Sequence, residues 1–199
     1  KKLPHKAAIS DLGGRSFHNK VLEIGDDVCE FISTAGDMYL GGDDFDDRLI
    51  DYMAERFMRE HDYDLRNDRN ALQRLKDAAE RTKIDLTDNL EAQINLPGIA
   101  EVEGQSTDLQ LDINRNYFGQ MVHDLIQRTF KVCDEALQEA HLTVEDLDAL
   151  ILVGGPTRMP IVRDAVQSYF FKEPKIDIDP DQVVAMGAAI QASTLKEST

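Results

Sequence analysis

The sequence predicts an α/β fold interrupted by a smaller inserted α+β subdomain, and three observations carry that reading. Short apolar runs stop at paired glycines near both ends, at Asp11-Leu12-Gly13-Gly14 and at Leu150-Ile151-Leu152-Val153-Gly154-Gly155. Three strand-like stretches open the chain, while a helix, a strand and further helices close it. Between them lies a stretch with its own helix and its own strand pair around Gly104.

Taken in order, Lys6 to Ser10 is a strand entering the first glycine turn, and further strands follow at Phe17 to Ile24 and Val28 to Thr34. Gly25-Asp26-Asp27 supplies the hairpin turn between those two. Asp43 or Asp44 is placed to cap a helix running to Arg59, with Phe45, Leu49, Ile50, Met53 and Phe57 on one face. A second helix is predicted from Asn67 to Ile84, then paired strands at Glu91 to Leu96 and Leu109 to Ile113. Tyr117 to His141 is a long helix, Leu147 to Val153 a strand and Ile161 to Phe170 a helix. Asp179 before Pro180 starts a last helix through Ser193, with the small residues Gly187, Ala188 and Ala189 on it. Three meandering strands, a helix, a strand and a helix make a unit of ribonuclease-H-like order.

Bulk composition narrows the function. The chain has 199 residues, enough to bury a core, and a net charge of -16 that speaks against nucleic-acid partners, whose phosphates demand Lys and Arg. Cys29 and Cys133 are unclustered, which fits neither a disulfide framework nor a zinc site and suits a reducing cytoplasm. The apolar runs are strand-length and no charged-then-apolar leader opens the chain, so no membrane partner is expected. Paired glycines at strand exits suit a nucleotide, because a glycine backbone approaches a phosphate closely with its N–H groups exposed.

Several motifs in one order carry a family resemblance. They are Asp11-Leu12-Gly13-Gly14, Leu40-Gly41-Gly42-Asp43-Asp44-Phe45-Asp46, Arg74-Leu75-Lys76 with Glu80 and Lys83, Leu152-Val153-Gly154-Gly155-Pro156-Thr157-Arg158-Met159-Pro160, and Pro180-Asp181 through Ala189. In these the chain resembles the nucleotide-binding domain of the DnaK-type heat shock protein 70 chaperones, within the actin-like ATPase superfamily. The resemblance covers the second lobe of that domain. It implies subdomain IIA over residues 1–41 and 118–199, and subdomain IIB over 42–117.

The resemblance implies ATP or ADP with magnesium as ligands. It places Gly13, Gly14 and Ser16 at the β- and γ-phosphates, and Asp11 near the magnesium and attacking water. Glu80, Lys83 and Thr87 would meet the adenosine, and Gly155, Arg158 and Asp181 would complete the adenine and ribose pocket. The parent would couple ATP hydrolysis to binding and release of unfolded polypeptide. Its partners would be the first lobe, the substrate-binding domain, a J-domain co-chaperone and a nucleotide-exchange factor gripping subdomain IIB. The family's other phosphate loop and catalytic lysine belong to the first lobe, so this lobe alone is expected to lack appreciable turnover.

Two departures fall on the chemistry. Where the family has Asp-Leu-Gly-Gly-Gly-Thr-Phe-Asp, this chain has Asp11-Leu12-Gly13-Gly14-Arg15-Ser16-Phe17-His18. A side chain at Arg15 would cost on the order of 1 kcal/mol or more if that position needs φ > 0 or close phosphate approach. The alternative is that Arg15 reaches back to a phosphate, preserving binding while altering hydrolysis. His18 replaces a carboxylate, and neutral imidazole is a poor ligand for hard cations. An interaction module that keeps the fold without nucleotide is therefore the alternative function. Ile84 stands where many eukaryotic members carry an arginine, and Pro156 where a serine is common.

Without the resemblance, Glu80 and Lys83 also read as an exposed helix pair, Arg158 as a surface arginine, and Asp179 and Asp181 as capping residues. The acids Asp43, Asp44, Asp46 and Asp47 lack calcium-loop spacing and are expected as a solvated helix start.

Overall fold

The computed structural model describes residues 5–25 and 29–175. The predicted helix at Pro180, with Asp179 and Asp181, and the turn residues Asp26 and Asp27 lie outside the described residues. The chain forms two compact units, Lys1–Gly42 with Ile126–Thr199, and Asp43–Leu125.

The first unit is built on a sheet. Its strands are β1 (His5–Leu12), β2 (Phe17–Ile24), β3 (Cys29–Asp37) and β6 (Ala149–Val153), in the order β3-β2-β1-β6. β2 runs antiparallel to both neighbours, and β6 runs parallel to β1 from Ala7↔Ala149 to Asp11↔Val153. A parallel neighbour needs a crossover, which here includes the whole second unit. One sheet face presents Ser10, Leu12, Phe17 and Leu152 to Phe130 and Cys133 of helix α3 (Arg115–Glu139) and to Val162, Val166 and Phe170 of helix α4 (Pro160–Phe170). The opposite face carries a cluster of Ile9, Leu22, Ile151 and Val153. With both faces covered, β1 and β6 read as nearly unbroken apolar runs.

A polar triad crosses the first face. Buried Asn19 donates through Nδ2 to Ser10 Oγ at 2.7 Å and to Cys133 Sγ at 3.2 Å. Burial pushes the Cys133 thiol up to about 12, so it stays protonated and packs as a small hydrophobe. Lys175 pairs beside β6, its N–H donating to Leu150 O at 2.8 Å, an extension of the sheet that the hydrophobic pattern did not announce.

The second unit contains α1 (Gly42–His61) from Asp43 onward, α2 (Arg69–Asp88), the hairpin β4 (Glu91–Val102) and β5 (Gln105–Asn114), and the first turns of α3. α1 begins at Gly42, so Asp43 and Asp44 are first-turn acids rather than its cap. Phe45, Leu49, Met53 and Phe57 are fully buried, as their spacing on one face requires. α2 starts later than its periodicity suggested because Asp68 caps it, accepting from the N–H groups of Asn70 and Ala71.

β4 outruns its predicted end at Leu96. Pro97 and Gly98 form an irregularity rather than a stop: Gly98 takes φ 56° and donates to Asp108 Oδ1 at 2.6 Å, while Arg74 donates to the carbonyls of Pro97 and Gly98. The hairpin then turns on Glu103 and Gly104, both at positive φ, the geometry of a two-residue type I′ turn.

Candidate functional site

Parallel pairing of β1 with β6 brings the two glycine turns to the same end of the sheet, beyond the C-terminal ends of these strands. The Gly13 N–H donates to Ser16 O at 3.0 Å and closes the first turn. Gly154 follows β6 at φ 100°, and a Cβ there would lie 1.9 Å from Leu12 O. Only glycine lets β6 leave so close to β1.

A third glycine pair, not assigned a role from the sequence, backs the first turn. The Gly42 N–H donates to Gly13 O at 2.8 Å. A Cβ on Gly41 would sit 2.4 Å from Gly14 O and 2.5 Å from Arg15 N. Gly41 and Gly154 are thus demanded by the protein's own backbone. Gly13 and Gly155 are not: a Cβ on Gly13 would meet only Ser16 O at 3.5 Å, and one on Gly155 would meet nothing within 4 Å. Gly155 is open on its Cβ side, whereas Gly13 has room there but already bonds through its N–H to Ser16 O and through its carbonyl to the Gly42 N–H.

The turn at Gly155–Arg158 is tied down by Thr157, whose Oγ1 donates to Gly154 O at 2.5 Å. Thr157 is buried, and its hydroxyl is a structural feature that the sequence did not single out. Arg158 is exposed at the end of this turn.

Asp11 is exposed at the end of β1, directly opposite His18 in β2, so their side chains share one face of the sheet. His18 lies across Gly36 of β3, where a Cβ would stand 2.8 Å from its Nδ1. Half-buried Ser16 ends the turn. Arg15 is exposed and takes no left-handed backbone: positive φ among the described residues falls at Asp62, Glu103, His141, Phe171, Gly98, Gly104 and Gly154. The feared strain at Arg15 is absent, because the turn closes through Gly13 and Ser16 without it.

Among the described residues no three His, Cys, Asp or Glu side chains stand together as a metal site. A lone exposed carboxylate at Asp11 still suits magnesium, which keeps its waters and binds through one or two carboxylates plus phosphate oxygens. The donor set therefore fits the ion only together with a polyphosphate.

In the second unit, Glu80, Lys83 and Thr87 share a face of α2. Lys83 is not the exposed half of a surface pair: its Nζ pairs with Asp46 Oδ1 at 2.8 Å, and the two side chains are 14% and 16% exposed. Burial pushes the Asp46 carboxyl up, with Lys83 opposing. Asp46 thus departs from the solvated helix start expected of it, having turned inward to α2. The Thr87 hydroxyl donates to Lys83 O at 3.2 Å. Asp181 lies outside the described residues.

Comparison with known proteins follows the same residues. The family model for Hsp70 protein matches residues 1–199. The chaperone protein DnaK of Thermotoga neapolitana is 49% identical over 191 residues, covering 96% of this chain. That of Thermotoga maritima is 49% identical over the same share, and that of Thermosipho melanesiensis 46% over 190 residues. The chain spans about a third, 32%, of the length of these curated relatives.

Proposed function

Because this chain belongs to the Hsp70 family and is of the DnaK type, we propose that its glycine turns hold the phosphates of ATP or ADP. The observation that carries this is the division of the glycines: Gly41 and Gly154 are filled against backbone, whereas Gly155 faces open space and Gly13 would meet only Ser16 O, at 3.5 Å. Open glycine faces at a strand exit are what a close-approaching phosphate requires. Gly13, Gly14 and Ser16 are assigned to the β- and γ-phosphates, with Gly155 and Arg158 toward the nucleoside. Glu80, Lys83 and Thr87, and Asp181, keep the adenosine roles that the resemblance gives them. Bound magnesium would neutralise charge on the phosphate oxygens, and Asp11 would orient it and the attacking water.

We further propose that the chain is the IIA and IIB lobe of a chaperone ATPase acting in the cytoplasm. The parent would couple hydrolysis to binding and release of unfolded polypeptide, with a J-domain co-chaperone and an exchange factor as partners. Positioning chemistry needs both sides of the phosphates, so this lobe alone should turn over little ATP. Among the described residues no helix is long and apolar enough to cross a membrane.

A second reading is favoured by one observation: His18 stands directly opposite Asp11, and an imidazole is a poor ligand for a hard cation. On that reading the lobe is an interaction module without nucleotide. Calorimetric titration with magnesium-ADP, beside the Arg15→Gly, His18→Asp double variant, separates the two. Saturable binding by the unaltered chain supports the nucleotide site. Binding by the double variant alone supports the module, and binding by neither removes the nucleotide proposal for this lobe.

A further inference from the structure

The chain leaving β3 is pinned by one carboxylate. Asp37, the last residue of β3, accepts the Tyr39 N–H on Oδ1 at 2.9 Å and the Arg128 guanidinium on Oδ2 at 2.6 Å. The Tyr39 N–H, with Arg128 beside it, holds this carboxyl below the usual carboxylate range. Its charge, and with it the pairing, is present above the ordinary carboxylate range and is lost as pH falls through the lowered value.

From that anchor to the glycine turn the chain is held at successive points, although the side chains of Met38 and Tyr39 are exposed. Leu40 is fully buried, Gly41 stands against the backbone of Gly14 and Arg15, and the Gly42 N–H donates to Gly13 O. Each residue of the loop from Tyr39 to Gly42 is held by a bond, by burial or by backbone contact. Arg128 comes from α3, an element otherwise remote from the turn in sequence.

Magnitude decides what such a pair is for. Arg128 is 46% exposed and Asp37 22%, and partly exposed pairs contribute little to stability. Small displacements of a ligand-holding backbone, by contrast, cost affinity and rate steeply. We propose that Arg128 and Asp37 are positioning residues for the Gly13–Ser16 turn, acting through the loop 37–42 to set how the chain meets a β-phosphate. This rests on the nucleotide reading above.

The test uses the full chain and three variants, Arg128→Gln, Arg128→Lys and Asp37→Asn; the last keeps an oxygen for the Tyr39 N–H while removing the charge that Arg128 meets. ADP and AMP affinities are measured by calorimetry, and amide exchange at Gly13 and Gly42 is followed without nucleotide. The expected result is a loss of ADP affinity of about threefold to tenfold with AMP affinity unchanged, partial recovery in Arg128→Lys, and faster exchange at Gly42. A general loss of structure would weaken both ligands alike. Equal ADP affinity in all forms, or an equal loss for AMP, overturns the proposal. If the unaltered chain binds no ADP, the nucleotide reading fails by itself; exchange at Gly13 and Gly42 unchanged in the variants would then overturn the link to the turn, and faster exchange there would uphold it.

Discussion

Glycine 154 and glycine 155 are neighbours with opposite reasons to be glycine. At Gly154 the backbone is left-handed and Leu12 O occupies the space a Cβ would need. Gly154→Ala is therefore expected to destabilise the chain by more than about 3 kcal/mol, the sum of backbone strain and a clash that only strand separation relieves. At Gly155 nothing stands within 4 Å. Gly155→Ala should change stability by less than about 1 kcal/mol while lowering ADP affinity about tenfold. Urea unfolding and calorimetry on both variants check the pair; equal stability losses would show that both glycines serve only the fold. The sequence marked the glycine pairs but could not divide the work within them, since that division depends on what lies across the sheet. Asp46 teaches the same lesson: its spacing fitted a solvated helix start, and only α2 alongside it supplied Lys83 and drew it inward.

At the scale of elements, local chemistry made most boundaries legible. β2 runs from Phe17 to Ile24, the bounds expected of it, and the α1 face is buried as its period requires. The α4 terminus shows a local conflict. Phe171 follows the helix in a left-handed conformation, φ 51° and ψ 28°, with its ring 89% exposed. Glycine is the residue suited to that position, since a Cβ there meets the neighbouring carbonyl. Phe171→Gly should stabilise the chain by about 1 kcal/mol despite the loss of an aromatic ring. A lower midpoint in urea would mean that the exposed ring packs usefully after all. β4 was underestimated because proline and glycine usually end a strand, whereas here Arg74 and Asp108 satisfy the exposed backbone groups and let pairing resume at Ala100.

Over the whole molecule, charge is lopsided. Thirty-eight acids face 22 bases, a net charge of -16. Ion pairs such as Arg48 with Asp124, Arg66 with Asp51 and Asp64, and Arg128 with Asp37 relieve part of this locally. Salt screens both the pairs and the general repulsion, but partly exposed pairs are individually weak and a net charge of -16 remains to be screened. Raising sodium chloride at neutral pH from about 0.01 M to about 0.15 M should therefore raise the thermal midpoint by a few degrees. A falling midpoint would show that the pairs outweigh the repulsion.

By itself the sequence determined the α/β class, the order of elements from the first strand to α4, the acidic surface and the family. These follow from periodicity, turn residues and composition, which are properties of neighbouring residues and are written locally. Tertiary structure decided which distant pieces meet. It set β1 beside β6, so that glycines at opposite ends of the chain converge; it put Gly41 behind the first turn, gave Asp46 to Lys83 and set Arg128 on Asp37. Those meetings depend on strand register and helix packing, in which each residue's role is fixed by what lies across the sheet or on the next helix.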